Sequence, residues 1–225
     1  MTRHIRRHRF SIDGHLRRSP PSALTAAYGA STPRSASVGR LASDRSLENL
    51  VVRSTTVLAV LRDGKLAFAA DGQVTVGNTI LKAKATKIRV MKSNAVLSGF
   101  AGSTADALTL FEKFEGKIDE FNGNMVRAAV ELAKEWRTDK MLRHLEALLL
   151  AGDRSKILTI SGNGDVIETD DGVAAIGSGG PYALAAARAM LRETKLNARE
   201  IAEKALKIAS EICVFTNENI TVQEI

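Results

Sequence analysis

The chain of 225 residues has room for one ordinary domain plus an appendage. Its formal net charge of +7 is unevenly placed: residues 1–54 hold ten arginines, no lysine and three acids, while 55–225 hold 22 basic and 22 acidic residues. The body therefore lacks the basic footprint of a nucleic-acid binder. Its single cysteine, Cys213, and single body histidine, His144, exclude a disulfide framework within the chain and a cysteine–histidine zinc site.

Residues 1–54 are rich in Arg and Ser and poor in acids, the composition of an organellar transit peptide. Ile5, Phe10, Ile12 and Leu16 among arginines predict a crude basic amphipathic helix, and the Ser/Ala/Pro/Gly-rich stretch 19–46 would not pack. Arg53-Ser54 before Thr55 fits matrix-type processing, with an arginine two residues before the cut. The expectation is a mitochondrial presequence whose removal leaves Thr55 first, in the mitochondrial matrix. No apolar run approaches the roughly 18 residues that span a bilayer.

The β-branched run Thr56 to Leu61 predicts a strand, Arg62-Asp63-Gly64-Lys65 a hairpin turn, and Leu66 to Ala70 a return strand buried on both faces. A short hairpin follows over 74–79. Lys82 to Lys92 reads as basic and extended, with Ile88 and Val90 pointing one way. Ala95 to Phe100 is a strand that runs into a Gly-rich junction, where Ser103 and Asp106 have capping-box spacing. Ala107, Leu108, Leu110, Phe111 and Phe114 then repeat at helical spacing, and a second long helix is predicted over roughly 124–149. Strands are predicted at 156–161, 166–168 and 173–176. Pro181 opens a third helix, Asn197 and Glu200 cap a fourth, and 219–222 is β-prone. Hairpins dominate, so the sheets should be antiparallel, packed face to face with two helices on each.

The residues leave few choices for chemistry. His144 sits in a helical run beside Arg143 and reads as a solvated edge residue, so a nucleophile must find its base elsewhere. Thr55 at a new N-terminus would supply both, its hydroxyl attacking and its own α-amine accepting the proton. That amine has an ordinary pKa of about 7.7–8.0, which a lysine cation nearby would lower. Lysines lie in the 82–92 run, Asp71 ends a strand paired with the nucleophile strand, and Gly99 to Ser103 could offer oxyanion donors.

Seven motifs in order resemble the HslV family, peptidase subunits of two-component ATP-dependent proteases related to proteasome β subunits. They are Thr55-Thr56, Ala70-Asp71-Gly72-Gln73, Gly77-Asn78-Thr79, Gly99-Phe100-Ala101-Gly102, Thr104-Ala105-Asp106, Trp136-Arg137-Thr138-Asp139 and Ile176 through Ala183. The resemblance covers nearly all of 55–225; the 54-residue extension departs from the bacterial members and points to a mitochondrial form. It implies the α+β, four-layer αββα sandwich of N-terminal-nucleophile hydrolases and a threonine-type endopeptidase acting on unfolded proteins. Thr55 would be the nucleophile, Lys87 the catalytic lysine, Asp71 its partner, the Gly102 amide the oxyanion donor, and Ser178 a member of the amine's hydrogen-bond network. A monovalent cation (Na+) would be held by the carbonyls of Ser210, Cys213 and Thr216. A glycine is usual where Ser210 stands, so the serine suits the site if no positive φ is needed there. Also implied are a homo-dodecamer of two hexameric rings and an HslU-type AAA+ ATPase that uses the ATP, with no nucleic acid and no membrane. Two other classes share parts of the pattern: an amidase of the same nucleophile type, and a non-catalytic ring subunit that keeps its extension.

Overall fold

The computed structural model describes residues 55–91, 95–102, 104–145 and 147–225. The expected presequence and the cap at Ser103 lie outside these residues, as does the side chain of His144.

Strand β1 (Thr56–Arg62) and β2 (Lys65–Ala70) form the first hairpin. Asp63 and Gly64 hold φ of 54° and 72°, the paired positive values of a turn that matches strand twist. Next come β3 (Val74–Val76), β4 (Thr79–Lys82), β5 (Ile88–Met91) and β6 (Val96–Gly102). Helices α1 (Thr104–Glu120) and α2 (Met125–Thr138) follow. Strands β7 (Ala147–Gly152), β8 (Ile157–Ser161), β9 (Val166–Glu168) and β10 (Val173–Gly177) then lead to α3 (Gly180–Glu193), α4 (Ala198–Ile212) and β11 (Thr221–Glu224).

One sheet runs β10-β1-β2-β11 and a second runs β5-β6-β7-β8-β9, with β3-β4 as a separate ribbon. All the strand pairs are antiparallel. Three apolar clusters set the layers. Leu110, Phe111, Phe114, Leu132 and Trp136 of α1 and α2 bury Leu149, Ala151, Leu158 and Ile160 on one face of the second sheet. Ala183 and Ala187 of α3, with Ile201, Ala205 and Leu206 of α4, bury Leu58, Val60, Ala67 and Ala69. Between the sheets lie Val57, Ala59, Phe68, Ala70, Ile88, Leu97, Leu150 and Ile176. The result is the αββα sandwich. Each fully buried Leu or Phe contributes about 1.5–3 kcal/mol, and the inter-sheet layer fixes the strands that follow Thr55, precede Asp71 and follow Lys87.

Two expectations are corrected. The second helix does not reach 149. It stops at Thr138, because the Asp139 carboxylate accepts the N–H groups of Met141 (2.7 Å) and Leu142 (3.0 Å) and starts a short 3-10 turn, Leu142–His144. The Leu148-Leu149-Leu150 run then forms β7, the central strand of the second sheet. A strand covered on both faces has no polar alternation, so its periodicity cannot be told from that of a buried helix. Ile88 and Val90 share a face by strand alternation, but only Ile88 is buried. Val90 lies on an edge strand and stays exposed.

Among the described residues no helix is long and apolar enough to cross a membrane.

Candidate active site

Thr55 precedes β1 and is 1% exposed. Its backbone carbonyl accepts the Ser178 N–H at 3.1 Å. Across the β1–β10 pairing, Thr56 faces Gly177. A Cβ on Gly177 would lie 1.7 Å from the Thr55 carbonyl oxygen and 3.3 Å from the Ala101 side chain, and its φ is +89°. Only glycine lets three strands converge there, so β6 reaches the nucleophile strand one residue before Gly102.

The next residue anchors that arrangement. Thr56 is fully buried, and its hydroxyl accepts the Gly179 N–H at 2.9 Å and meets the Thr216 hydroxyl at 2.7 Å. Its N–H donates to Asp71 Oδ1 at 2.8 Å, and its carbonyl accepts the Asp71 N–H at 3.2 Å. The Thr55 backbone is thus held by its own carbonyl and by the bonds of the residue after it.

Asp71 follows β2 and ties this strand to Lys87. The Lys87 ammonium donates to Asp71 Oδ1 at 2.8 Å and to the Gln73 carbonyl at 2.7 Å. Gln73 N–H holds the other carboxylate oxygen at 2.8 Å. Both charged side chains are buried, as charges so placed must be paired. Burial pushes the Lys87 ammonium below its ordinary range, while the charge and hydrogen bond of Asp71 oppose that fall. The pair therefore brings a desolvated cation, stabilised by one carboxylate, beside the start of β1.

Gly102 ends β6 with φ +145°, where a side chain would be strained, and α1 begins two residues later. The expected strand–turn–helix junction is therefore present. Ser178 lies in the turn before α3; it meets Thr55 through its N–H, and its side chain is exposed.

The proposed cation ligands follow one another in the chain, from the last turn of α4 into the segment after it. Ser210 stands in the last helical turn, with its hydroxyl on the Lys207 carbonyl at 2.7 Å and no positive φ. Its carbonyl is one of those that a helix end leaves without an intrahelical donor. Cys213 is the C-cap and is buried, as expected of a small hydrophobe. Its carbonyl accepts the Thr216 N–H at 3.0 Å and keeps a second lone pair. Among the described residues no three His, Cys, Asp or Glu side chains cluster as ligands, so a cation here would rest on carbonyl oxygens. That donor set suits a hard monovalent ion.

The sequence reading named Thr55, Asp71 and Lys87 but not the residues that pack or bond around them. Thr56, Gln73, Gly177 and Asn217 all bond or pack at the site. The threonine doublet hinted at Thr56, and Gln73 stands two residues after an aspartate, where a side-chain turn is common. Asn217 carried no local signal.

A model of the family described as "Proteasome subunit" matches residues 51–225. The ATP-dependent protease subunit HslV of Pseudothermotoga lettingae is 62% identical over 173 residues, covering 77% of this chain and 98% of that protein. The subunit of the same name from Syntrophobacter fumaroxidans is 59% identical over 175 residues, covering 78% and 98%. The crystal structure of eukaryotic HslV from Trypanosoma brucei superposes with a TM-score of 0.72 at 48% identity, over 75% of this chain and 98% of the other.

Proposed function

The chain belongs to the proteasome-subunit family, on its HslV branch, and from that premise we propose that Thr55, standing first in the mature protein, is its nucleophile. The chain is the peptidase subunit of an ATP-dependent protease, a threonine-type endopeptidase. The observation that carries the site assignment is Asp71, whose one oxygen binds both the Lys87 ammonium and the N–H next to Thr55.

The chemistry runs through the chain's own groups. The Thr55 α-amine takes the hydroxyl proton as Oγ1 attacks the scissile carbonyl carbon. The carbonyl electrons move to an oxyanion, which the Gly102 N–H stabilises. Collapse breaks the C–N bond, the leaving amine takes the proton back from the α-ammonium, and an ester on Thr55 remains. Water, deprotonated by the same amine, then hydrolyses the ester and restores the hydroxyl. Lys87 lowers the amine's pKa by like-charge repulsion, so that the amine is largely neutral at working pH. Ser178 supports the amine's surroundings through the turn that also holds the Thr55 carbonyl.

An amide at Thr55 has no basic amine, so residues 1–54 must come off first. Thr55 has φ +120°, a value that a β-branched residue rarely holds. Cutting the bond before Thr55 removes the constraint, which supports a chain built to start there. The extension's composition supports a presequence and residence in the mitochondrial matrix. The Ser210, Cys213 and Thr216 carbonyls would hold Na+, which when bound would pin the loop that carries the Thr216 hydroxyl. Assembly would be a dodecamer of two hexameric rings, fed unfolded protein by an HslU-type AAA+ ATPase.

The test is the mature N-terminus with the Thr55→Ala variant. Sequencing should find Thr55 first, and Thr55→Ala should assemble normally without peptidase activity. Activity retained in that variant sinks the reading.

A further inference from the structure

Asn217 lies between α4 and β11, half-buried, and its side chain joins three segments of the site. Its Oδ1 accepts the Gly72 N–H at 3.2 Å and the Asn219 N–H at 3.1 Å. Its Nδ2 donates to the Ala83 carbonyl at 3.0 Å, and its backbone N–H reaches toward Asp71 Oδ2 at 3.5 Å. The segment leading to Lys87 crosses close over Gly72, where a Cβ would lie 2.5 Å from the Ala83 oxygen. The Ala85 N–H closes the crossing on the Gly72 carbonyl at 2.8 Å. One end of the Asn217 amide thus grips the corner after Asp71, and the other grips the stretch that delivers Lys87.

We propose that Asn217 is a positioning residue of the reaction: its carboxamide clamps the Asp71 corner to the segment carrying Lys87 and so fixes the lysine cation relative to the nucleophile. The inference rests on Thr55, Asp71 and Lys87 acting as assigned above. Lysine has a long, rotatable stem, and its ammonium is directed here by two acceptors, Asp71 Oδ1 and the Gln73 carbonyl. Both acceptors sit on the Gly72 side of the crossing, while the lysine backbone sits on the Ala83 side. Links across the crossing keep the two in register: the Ala85 N–H on the Gly72 carbonyl ties backbone to backbone, and the asparagine side chain adds an acceptor and a donor at once. Asp71 is the charged group acting on Lys87; Lys84 is exposed, and Arg89 turns away over the Phe111 ring.

The experiment follows peptidase activity of the mature, assembled protein on a short fluorogenic peptide as a function of pH, for Asn217→Ala and Asn217→Ser. Serine keeps a local acceptor for Asn219 but is too short to reach Ala83. A misplaced cation lets the Thr55 amine drift back toward its ordinary value, so the acid limb of kcat/KM should move up by about one unit. Activity below the limb should fall about tenfold, with KM nearly unchanged. A limb that stays in place in a folded variant overturns the proposal, however much stability has dropped; if the alanine variant does not fold, the serine variant decides. Thr55→Ala runs beside them. If it is inactive and the Asn217 limb has not moved, the clamp alone is wrong. If it is active, the site assignment itself fails.

Discussion

The Lys87 ammonium lies 2.8 Å from the Asp71 carboxylate, with the two side chains 2% and 0% exposed. A pair so buried has paid for its desolvation with mutual attraction, with N–H bonds from Thr56 and Gln73 to the carboxylate, and with the bond that the ammonium donates to the Gln73 carbonyl. Removing one partner strands the other. Asp71→Ala or Lys87→Ala should therefore each cost about 3–5 kcal/mol of stability as well as activity. The double variant Asp71→Asn with Lys87→Met carries no buried charge and should recover most of that stability while remaining inactive. Denaturant midpoints of the mature assembly, read beside peptidase rates, check this. An active double variant would show that the pair is structural only.

The direction of the Lys87 shift gives a second prediction. Burial holds its folded-state value below the ordinary 10.5. Between those two values the unfolded chain binds the extra proton, so stability rises with pH across that window. Compared with the uncharged double variant, the wild-type site should gain stability as pH climbs toward about 10. Paired denaturation curves at neutral and alkaline pH measure the difference. A wild-type advantage that shrinks as pH rises would reverse the sign of the shift.

Most of the sandwich was legible because its signals are local. The Asp63-Gly64 turn, the capping box of Asn197 and Glu200, and Pro181 in the first turn of α3 all occur as read. β7 was not legible, since Ala147–Gly152 is apolar on both faces and only tertiary cover makes it a strand. At the site, the resemblance singled out Thr55, Asp71 and Lys87, and the structure brings Asp71, Lys87 and the start of β1 together. The supports were hidden for a different reason. Asn217 bonds Gly72 and Ala83 across more than a hundred residues, and Gly177 matters because it comes up against the Thr55 carbonyl from another strand. Neither relation has a periodicity or spacing to read.

Gly177 yields the last prediction. Its Cβ position lies 1.7 Å from the Thr55 carbonyl oxygen, backbone that cannot swing aside without moving the nucleophile. Gly177→Ala should push Thr55 out of line by a fraction of an ångström or more, and a shift near 1 Å can cost about a hundredfold in rate. The +89° φ adds strain of about 1–3 kcal/mol. Gly64→Ala separates these two effects. Gly64 has φ +72° at the tip of the β1–β2 hairpin, with nothing within 4 Å of its Cβ position. It should lose stability through strain and keep its kcat. A large fall in kcat for Gly177→Ala alone would tie activity to the approach of β10 to Thr55. Equal falls in both variants would mean that strain anywhere in the β10-β1-β2-β11 sheet disables the enzyme, and the close contact would then have no special role.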